Sequence, residues 1–184
     1  MNILLHICCA PCAIRPIEDL RKEGHVLAGY FYNPNIHPYS EYLKRKAEVE
    51  KLSKATGMNV IYGEWDLNNY LQHVVNNEAH EGRCSVCWWL RTLATAKFAK
   101  LNGFDAFTTT LLGSPYQDHD VLTSICEDVA KSCEIGFCAS DLRPGFRDGQ
   151  AQARAQGMYM QKYCGCLFSE KERLEKKTPG KSKK

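Results

Sequence analysis

Seven of the ten cysteines in this 184-residue chain fall into three tight groups far apart in sequence. The groups are Cys8-Cys9-Ala-Pro-Cys12, Cys84-Ser-Val-Cys87 and Cys164-Gly-Cys166. Thiols this close together are held by a metal, by a sulfide cluster or by a reversible disulfide. A fold for this chain must present them on separate loops or helix ends. The first group directly follows a short apolar run.

That run, Asn2–Cys8, carries Ile3, Leu4, Leu5 and Ile7 and predicts a buried strand opening the fold. After the Cys8–Cys12 loop, Ile14, Ile17 and Leu20 at three-residue steps predict a helix, with Gly24 as its stop. Val26–Tyr32 predicts a second strand, and a proline-interrupted loop follows over 33–38. A helix is expected from Tyr39 to Ala55. Tyr42, Val49 and Leu52 mark its core face, Lys44, Arg45 and Lys46 lie largely on the other, and Gly57 closes it. Asn59–Tyr62 predicts a third strand. Cys84 and Cys87 open a further helix, with Leu90, Leu93, Ala94, Phe98 and Leu101 as its apolar stripe. Phe104–Leu112 and Gly136–Ser140 complete the strands.

Strands alternating with helices imply a single-domain α/β fold with a mostly parallel, doubly wound (Rossmann-like) sheet. Ligands of such sheets bind beyond the carboxyl ends of the strands, so the metal site is expected there. Residues 1–175 are expected to form one domain, and 176–184 a basic, disordered tail. No Walker or dinucleotide fingerprint supports ATP or NAD binding. The N-terminus lacks a secretory signal, and no apolar run approaches the ~18–20 residues of a membrane span. A cytoplasmic location with no membrane partner is therefore expected, where grouped cysteines bind metal or catalyse. The net charge of +3 leaves nucleic acid open, and the distribution of charge must decide.

Three chemistries compete for the thiols. Cys9-Ala-Pro-Cys12 between a strand and a helix suits a thiol oxidoreductase, but leaves five grouped cysteines without a use. Cys9/Cys12 with Cys84/Cys87 would make a structural Cys₄ zinc site, leaving Cys8, Cys164 and Cys166 over. An iron–sulfur cluster takes four thiolates, and a redox pair or an additional metal would absorb the surplus. Cys164-Gly165-Cys166 is the best candidate pair, because a disulfide across one residue is strained and reducible. Cys126, Cys133 and Cys138 are spread out and are assigned no role beyond packing.

From Leu5 to about Ser169 the chain resembles the cobalamin-independent epoxyqueuosine reductases, the QueH family. The resembling segments are His6-Ile-Cys-Cys-Ala-Pro-Cys12, Tyr32-Asn-Pro-Asn-Ile-His-Pro38 with Glu41-Tyr42 and Arg45, and Glu81-Gly-Arg-Cys-Ser-Val-Cys87 with Arg91. Further ones are Thr108-Thr-Thr-Leu-Leu with Ser114-Pro-Tyr116, Ser140-Asp141, and Gln161-Lys-Tyr-Cys-Gly-Cys166. Met160 and Gln117 depart from the Arg and Lys frequent at those places.

The resemblance implies the last step of queuosine biosynthesis: two-electron removal of the epoxide oxygen of epoxyqueuosine at the tRNA wobble position. It implies a [4Fe-4S] cluster and allows an additional mononuclear iron. Carried over by position, Cys8, Cys9, Cys84 and Cys87 are the expected cluster ligands. Cys164 and Cys166 then resemble the redox pair, and Cys12 is left as a ligand of a second iron or a nearby thiol. Asp141 and Tyr116 are candidate proton donors, with a turn cap as the alternative for Asp141. His6 and His37 are further candidates. Arg15, Arg45, Arg83, Arg91, Arg143 and Arg147, with Tyr39, Tyr42, Trp88 and Trp89, are candidates for holding the tRNA. No flavin or nicotinamide site is visible, so an external electron donor is implied.

Overall fold

The computed structural model describes residues 1–177. Five strands form one sheet in the order β3-β2-β1-β4-β5, and every pairing is parallel. The strands are β1 (Asn2–His6), β2 (Val26–Phe31), β3 (Val60–Tyr62), β4 (Ala106–Thr109) and β5 (Gly136–Phe137). Side chains alternate across a strand, and the central strand β1 shows this directly. Ile3 and Leu5, with Ile7 just beyond, belong to one core and Leu4 to the other, all fully buried.

Helices α1 (Ala10–Lys22), α2 (Tyr39–Thr56) and α6 (Phe146–Ala155) contribute to the first core. Helices α4 (His80–Leu101) and α5 (His119–Cys133) cover the opposite face. Short α3 (Leu67–Val74) adds Tyr70 and Val74 to a third cluster, with Cys87, Leu90 and Cys166. Helix α7 (Leu167–Lys177) follows the last cysteine group. It runs two residues into the segment expected to be a tail, and 178–184 lie outside the described residues.

Local signals account for the helix ends. Pro11 stands in the first turn of α1, where its missing N–H costs nothing. Gly57 caps α2 at φ 65°. The Asp118 side chain accepts from the Val121 amide at the start of α5.

Several expectations need correction. Helix α1 begins at Ala10, so Cys12 sits in its first turn rather than in a loop. Helix α4 begins at His80, placing Cys84 and Cys87 within it. Of the expected α4 stripe only Leu101 is exposed; Leu90 is buried, Leu93, Ala94 and Phe98 are half-buried against the second core, and Trp88, Arg91, Thr92, Thr95, Ala96 and Ala99 extend the buried face. Arg45 is buried at 2% exposure beside Glu41, Tyr42, Glu48, Val49 and Leu52, not turned to solvent. Strand β4 gives way to a 3₁₀ turn over Thr110–Gly113.

The strand order reverses between β1 and β4, and a doubly wound sheet opens a crevice at that point. The first cysteine group follows β1, and Thr110 follows β4. Because Leu5 is fully buried in the central strand, Leu5→Ala should cost about 2–5 kcal/mol. Urea unfolding with linear extrapolation measures it, and a cost under about 1 kcal/mol would contradict this packing.

Candidate active site

Cys9 is the N-cap residue of α1. The sulfurs of Cys8, Cys9 and Cys12 all lie within 4.8 Å of one another. Cys8 and Cys9 are 3.8 Å apart, and Thr110 reaches the Cys8 sulfur with its hydroxyl at 3.2 Å. The Thr110 oxygen also accepts from the Cys8 amide at 3.0 Å, tying the triad across the strand reversal.

The triad shares charge unequally. Hydrogen bonds from Cys12, then Cys9, hold the Cys8 thiol well below the usual range, against its burial. Burial drives Cys9 up, and the bonds to Cys8 and Cys9 drive Cys12 up. One anion among three thiols is what such a site tolerates without a cation, and a bound metal deprotonates all three.

The other four grouped cysteines form a second neighbourhood. Burial pushes Cys87 up to about 12, opposed by Arg91 and reinforced by Cys164, Cys166 and Cys84. Burial and then Cys164 push Cys84 up to about 11. Cys87 and Cys166 share one apolar cluster with Tyr70. The two neighbourhoods meet, since Cys8 is among the groups that raise the Cys164 thiol.

Two guanidiniums are buried against these sulfurs. Arg45 bonds Glu41 at 2.8 Å and the carbonyls of Cys164 and Tyr163 at 2.8 and 3.0 Å. Burial opposes its charge, but the Cys9 sulfur and Glu41 outweigh burial and raise its pKa. Arg91 donates to the Cys87 carbonyl and, at 3.3 Å, to Asn33. Among the described residues it has no carboxylate partner, and its Nη2 has no hydrogen-bond acceptor. Cys87, Cys164 and Cys8 are what favour its charge against burial.

Backbone geometry sets the last cysteine loop. Gly165 has φ 154°, and a Cβ there would meet Asn35 Nδ2 at 3.0 Å and Ile36 Cγ1 at 3.2 Å. Its carbonyl accepts from the His37 amide at 2.8 Å. Gln161 Nε2 lies 2.8 Å from the Cys9 sulfur and 3.5 Å from that of Cys12.

A cavity of about 1140 Å³ opens over this junction. Cys8, Cys12 and Cys164 line it, with Arg45, Arg91, Gln161 and Tyr116. Six of its lining residues are Arg or Lys and none is Asp or Glu. The chain as a whole has 24 basic and 21 acidic residues, so the segregation is local rather than compositional.

A sequence profile described as "Epoxyqueuosine reductase QueH" matches residues 3–172. The chain belongs to this family. It is 34% identical over 176 residues to the epoxyqueuosine reductase QueH of Dehalococcoides mccartyi, covering 95% of this chain and 96% of that protein. The QueH of Thermotoga maritima is 34% identical over 183 residues, covering 95% and 93%. The Helicobacter pylori QueH is 34% identical over 94% of this chain, which spans 50% of that protein.

Within the family frame, other expected residues fall out differently. Asp141 is exposed, and both its oxygens are taken by Arg143 at 2.8 Å. Arg143 holds its carboxyl at about 2, so Asp141 has no proton to give near neutrality. It also accepts from the Arg143 amide, the turn-cap geometry that was its alternative. His6 is buried, with Nδ1 near Thr109 and Nε2 near the Tyr32 carbonyl. His37 is buried beside Trp65 and Tyr70, and burial lowers its pKa. Neither His lines the cavity.

Arg15 is neutralised by Glu18, Asp19 and Asp148. Arg83 is buried and pairs with Glu172. Of the six arginines considered for tRNA, only Arg143 and Arg147 are exposed at the cavity. Tyr42 and Trp88 are core, Tyr39 and Trp89 are half exposed, and none of the four lines it. Cys126 is fully buried in the second core, Cys138 is buried, and Cys133 is half-buried.

Sequence reasoning missed Tyr70 beside Cys166, and Phe146 and Arg154 on the cavity wall. Thr110, which donates to the Cys8 sulfur, and Gln161 and Lys162 stood inside resembling segments with no role given to them.

Burial, followed by the charge of Arg91, depresses the His6 pKa from 6.5 to about 4. The unfolded chain binds this proton first on acidification, so the stability is present above about 6.5 and lost as pH falls towards 4. The full loss is about 3 kcal/mol. Denaturant midpoints between pH 7 and 5 should fall in the wild type and flatten in His6→Gln; equal slopes would contradict a buried neutral imidazole.

Proposed function

We propose that the protein is an epoxyqueuosine reductase acting on tRNA through an iron–sulfur centre. The observation that carries the reading is the cavity at the strand reversal, where thiols of the first and last groups meet and no carboxylate intrudes. The names of its relatives support the substrate, and the net reaction balances simply. Two electrons and two protons remove the epoxide oxygen as water and leave an alkene.

The residues fit an iron–sulfur centre. All seven grouped cysteines are free thiols, and soft thiolates suit iron and sulfide. The buried, carboxylate-free Arg91 fits a site whose net charge is negative when loaded. When bound, such a centre supplies electrons singly from an external donor.

Sequence position suggests Cys8, Cys9, Cys84 and Cys87 as cluster ligands, Cys12 as a ligand of a second iron, and Cys164 with Cys166 as a redox pair. The spatial grouping favours another division. Cys84, Cys87, Cys164 and Cys166 would hold the [4Fe-4S] cluster, and Cys8, Cys9 and Cys12 an additional iron. The triad supports it, since the sulfurs of Cys8, Cys9 and Cys12 all lie within 4.8 Å of one another.

The chain's own residues then have separate tasks. Arg45 holds the Tyr163–Cys164 backbone in place through its carbonyl bonds. Gln161 and Thr110 orient the triad sulfurs. With no Asp or Glu in the cavity, protons reach the substrate from thiol, phenol or water. The thiol requirement favours a reducing, cytoplasmic setting; among the described residues no helix is long and apolar enough to cross a membrane.

Anaerobic incubation with a reductant and epoxyqueuosine-bearing tRNA should give queuosine, read by mass spectrometry of the released nucleosides. Unchanged epoxyqueuosine with fully loaded protein would overturn the reading. Cys164→Ser separates the two divisions. Loss of most iron and sulfide is expected if Cys164 is a ligand. Full iron and sulfide with lost turnover would restore it to a redox pair.

A further inference from the structure

The thiols occupy only the floor of the cavity, and its outer wall has a different chemistry. Tyr116 is 81% exposed, an unusual position for a large ring. It is nevertheless held. Its amide donates to the Ser114 hydroxyl at 3.3 Å, and the next residue, Gln117, accepts from Trp88 Nε1 on α4 at 2.9 Å. Phe146, the first residue of α6, meets the Tyr116 ring edge-on with centroids 5.9 Å apart.

Helix α6 continues this wall. Arg147, Gln150 and Arg154 follow at i, i+3 and i+7, one helical face, and all line the cavity. The helix backs onto α1 through Gly149, where a Cβ would lie 3.0 Å from Arg15 Cγ. Lys162, in the segment leading to Cys164, adds a cation to the cavity lining. Among the described residues, the side chains of Arg147, Arg154 and Lys162 form no ion pair or hydrogen bond. Unpaired cations beside an exposed, anchored aromatic pair are the means by which proteins hold single-stranded nucleic acid.

The cavity of about 1140 Å³ holds the thiols on one side and this aromatic and basic wall on the other. Resting on the proposed function, we infer that this wall is the anticodon-loop cradle. The Tyr116–Phe146 pair stacks on a base flanking the modified nucleotide, and Arg147, Arg154 and Lys162 take the adjoining phosphates. Tyr116 acts through its ring face, so Phe can replace it and Ala cannot.

The test uses the full, anaerobically prepared protein and an unmodified anticodon stem-loop RNA, with fluorescence anisotropy at several salt concentrations. Tyr116→Ala should weaken binding about 5- to 150-fold, the range for one stacked base, whereas Tyr116→Phe should bind as wild type. Arg147→Gln with Arg154→Gln should weaken binding and reduce the salt slope by about 1.4, two single-strand phosphate contacts. Lys131→Gln, on the exposed surface of α5, should leave the slope alone. Iron and sulfide content should be unchanged in all variants. Wild-type affinity in Tyr116→Ala, or an unaltered slope in the double variant, would overturn the cradle while turnover of the tRNA substrate left the proposed function standing. A wild type that neither bound the RNA nor reduced epoxyqueuosine in tRNA would overturn both.

Discussion

Arg91 buries a permanent positive charge at the cysteine cavity, and among the described residues no carboxylate pairs with it. Burying an unpaired guanidinium is among the more costly things a fold can do. After burial, Cys87, Cys164 and Cys8 act most strongly on its charge and favour it. Those three residues come from the three cysteine groups, so segments 8–12, 84–87 and 164–166 all lie within the field of one cation. The Asn33 side chain, which accepts from Arg91 and donates to the Ile7 carbonyl, joins this cation to the end of β1.

Arg45 does the complementary work from the other side of the site. Its Glu41 partner is on the same helix, so the pair enters the core as a unit. The remaining donors reach the carbonyls of Tyr163 and Cys164, and Gly165 passes between Asn35 and Ile36, where a larger residue would not fit. The last cysteine loop is thereby fixed against α2 rather than left as a surface excursion. A related sheet that binds nucleotides would have a glycine-rich phosphate cradle after β1. Here the same position carries thiols at the N-terminus of α1, a group that could hold a metal ion in the crevice common to the architecture.

Much of the sheet was legible because its signals are strong. The apolar run of β1 and the caps of α1 and α2 place those elements to within a few residues. Arg45 was misjudged because pattern reading sends a charged residue to solvent, whereas position 45 belongs to the 41/42/45/48/49/52 face. Leu101 erred the opposite way, an apolar residue left exposed at a helix end. Helix α6 has little apolar content and packs through Gly149 and Ala153, so no hydrophobic stripe announces it. The seven thiols were visible as a set, but proximity in sequence is a poor guide to proximity in space. Cys12 enters the triad only because Cys9 caps α1 and the helix turns the next thiol back towards it.

The central claim is that buried positive charge and converging thiols exist to hold an iron–sulfur centre. The most direct measurement is anaerobic analysis of iron, acid-labile sulfide and zinc, with visible absorption, on the purified protein. The account predicts about four irons with matching sulfide, and iron in excess of sulfide where the additional site is filled. Stoichiometric zinc without sulfide, persisting after anaerobic reconstitution with iron and sulfide, would contradict it.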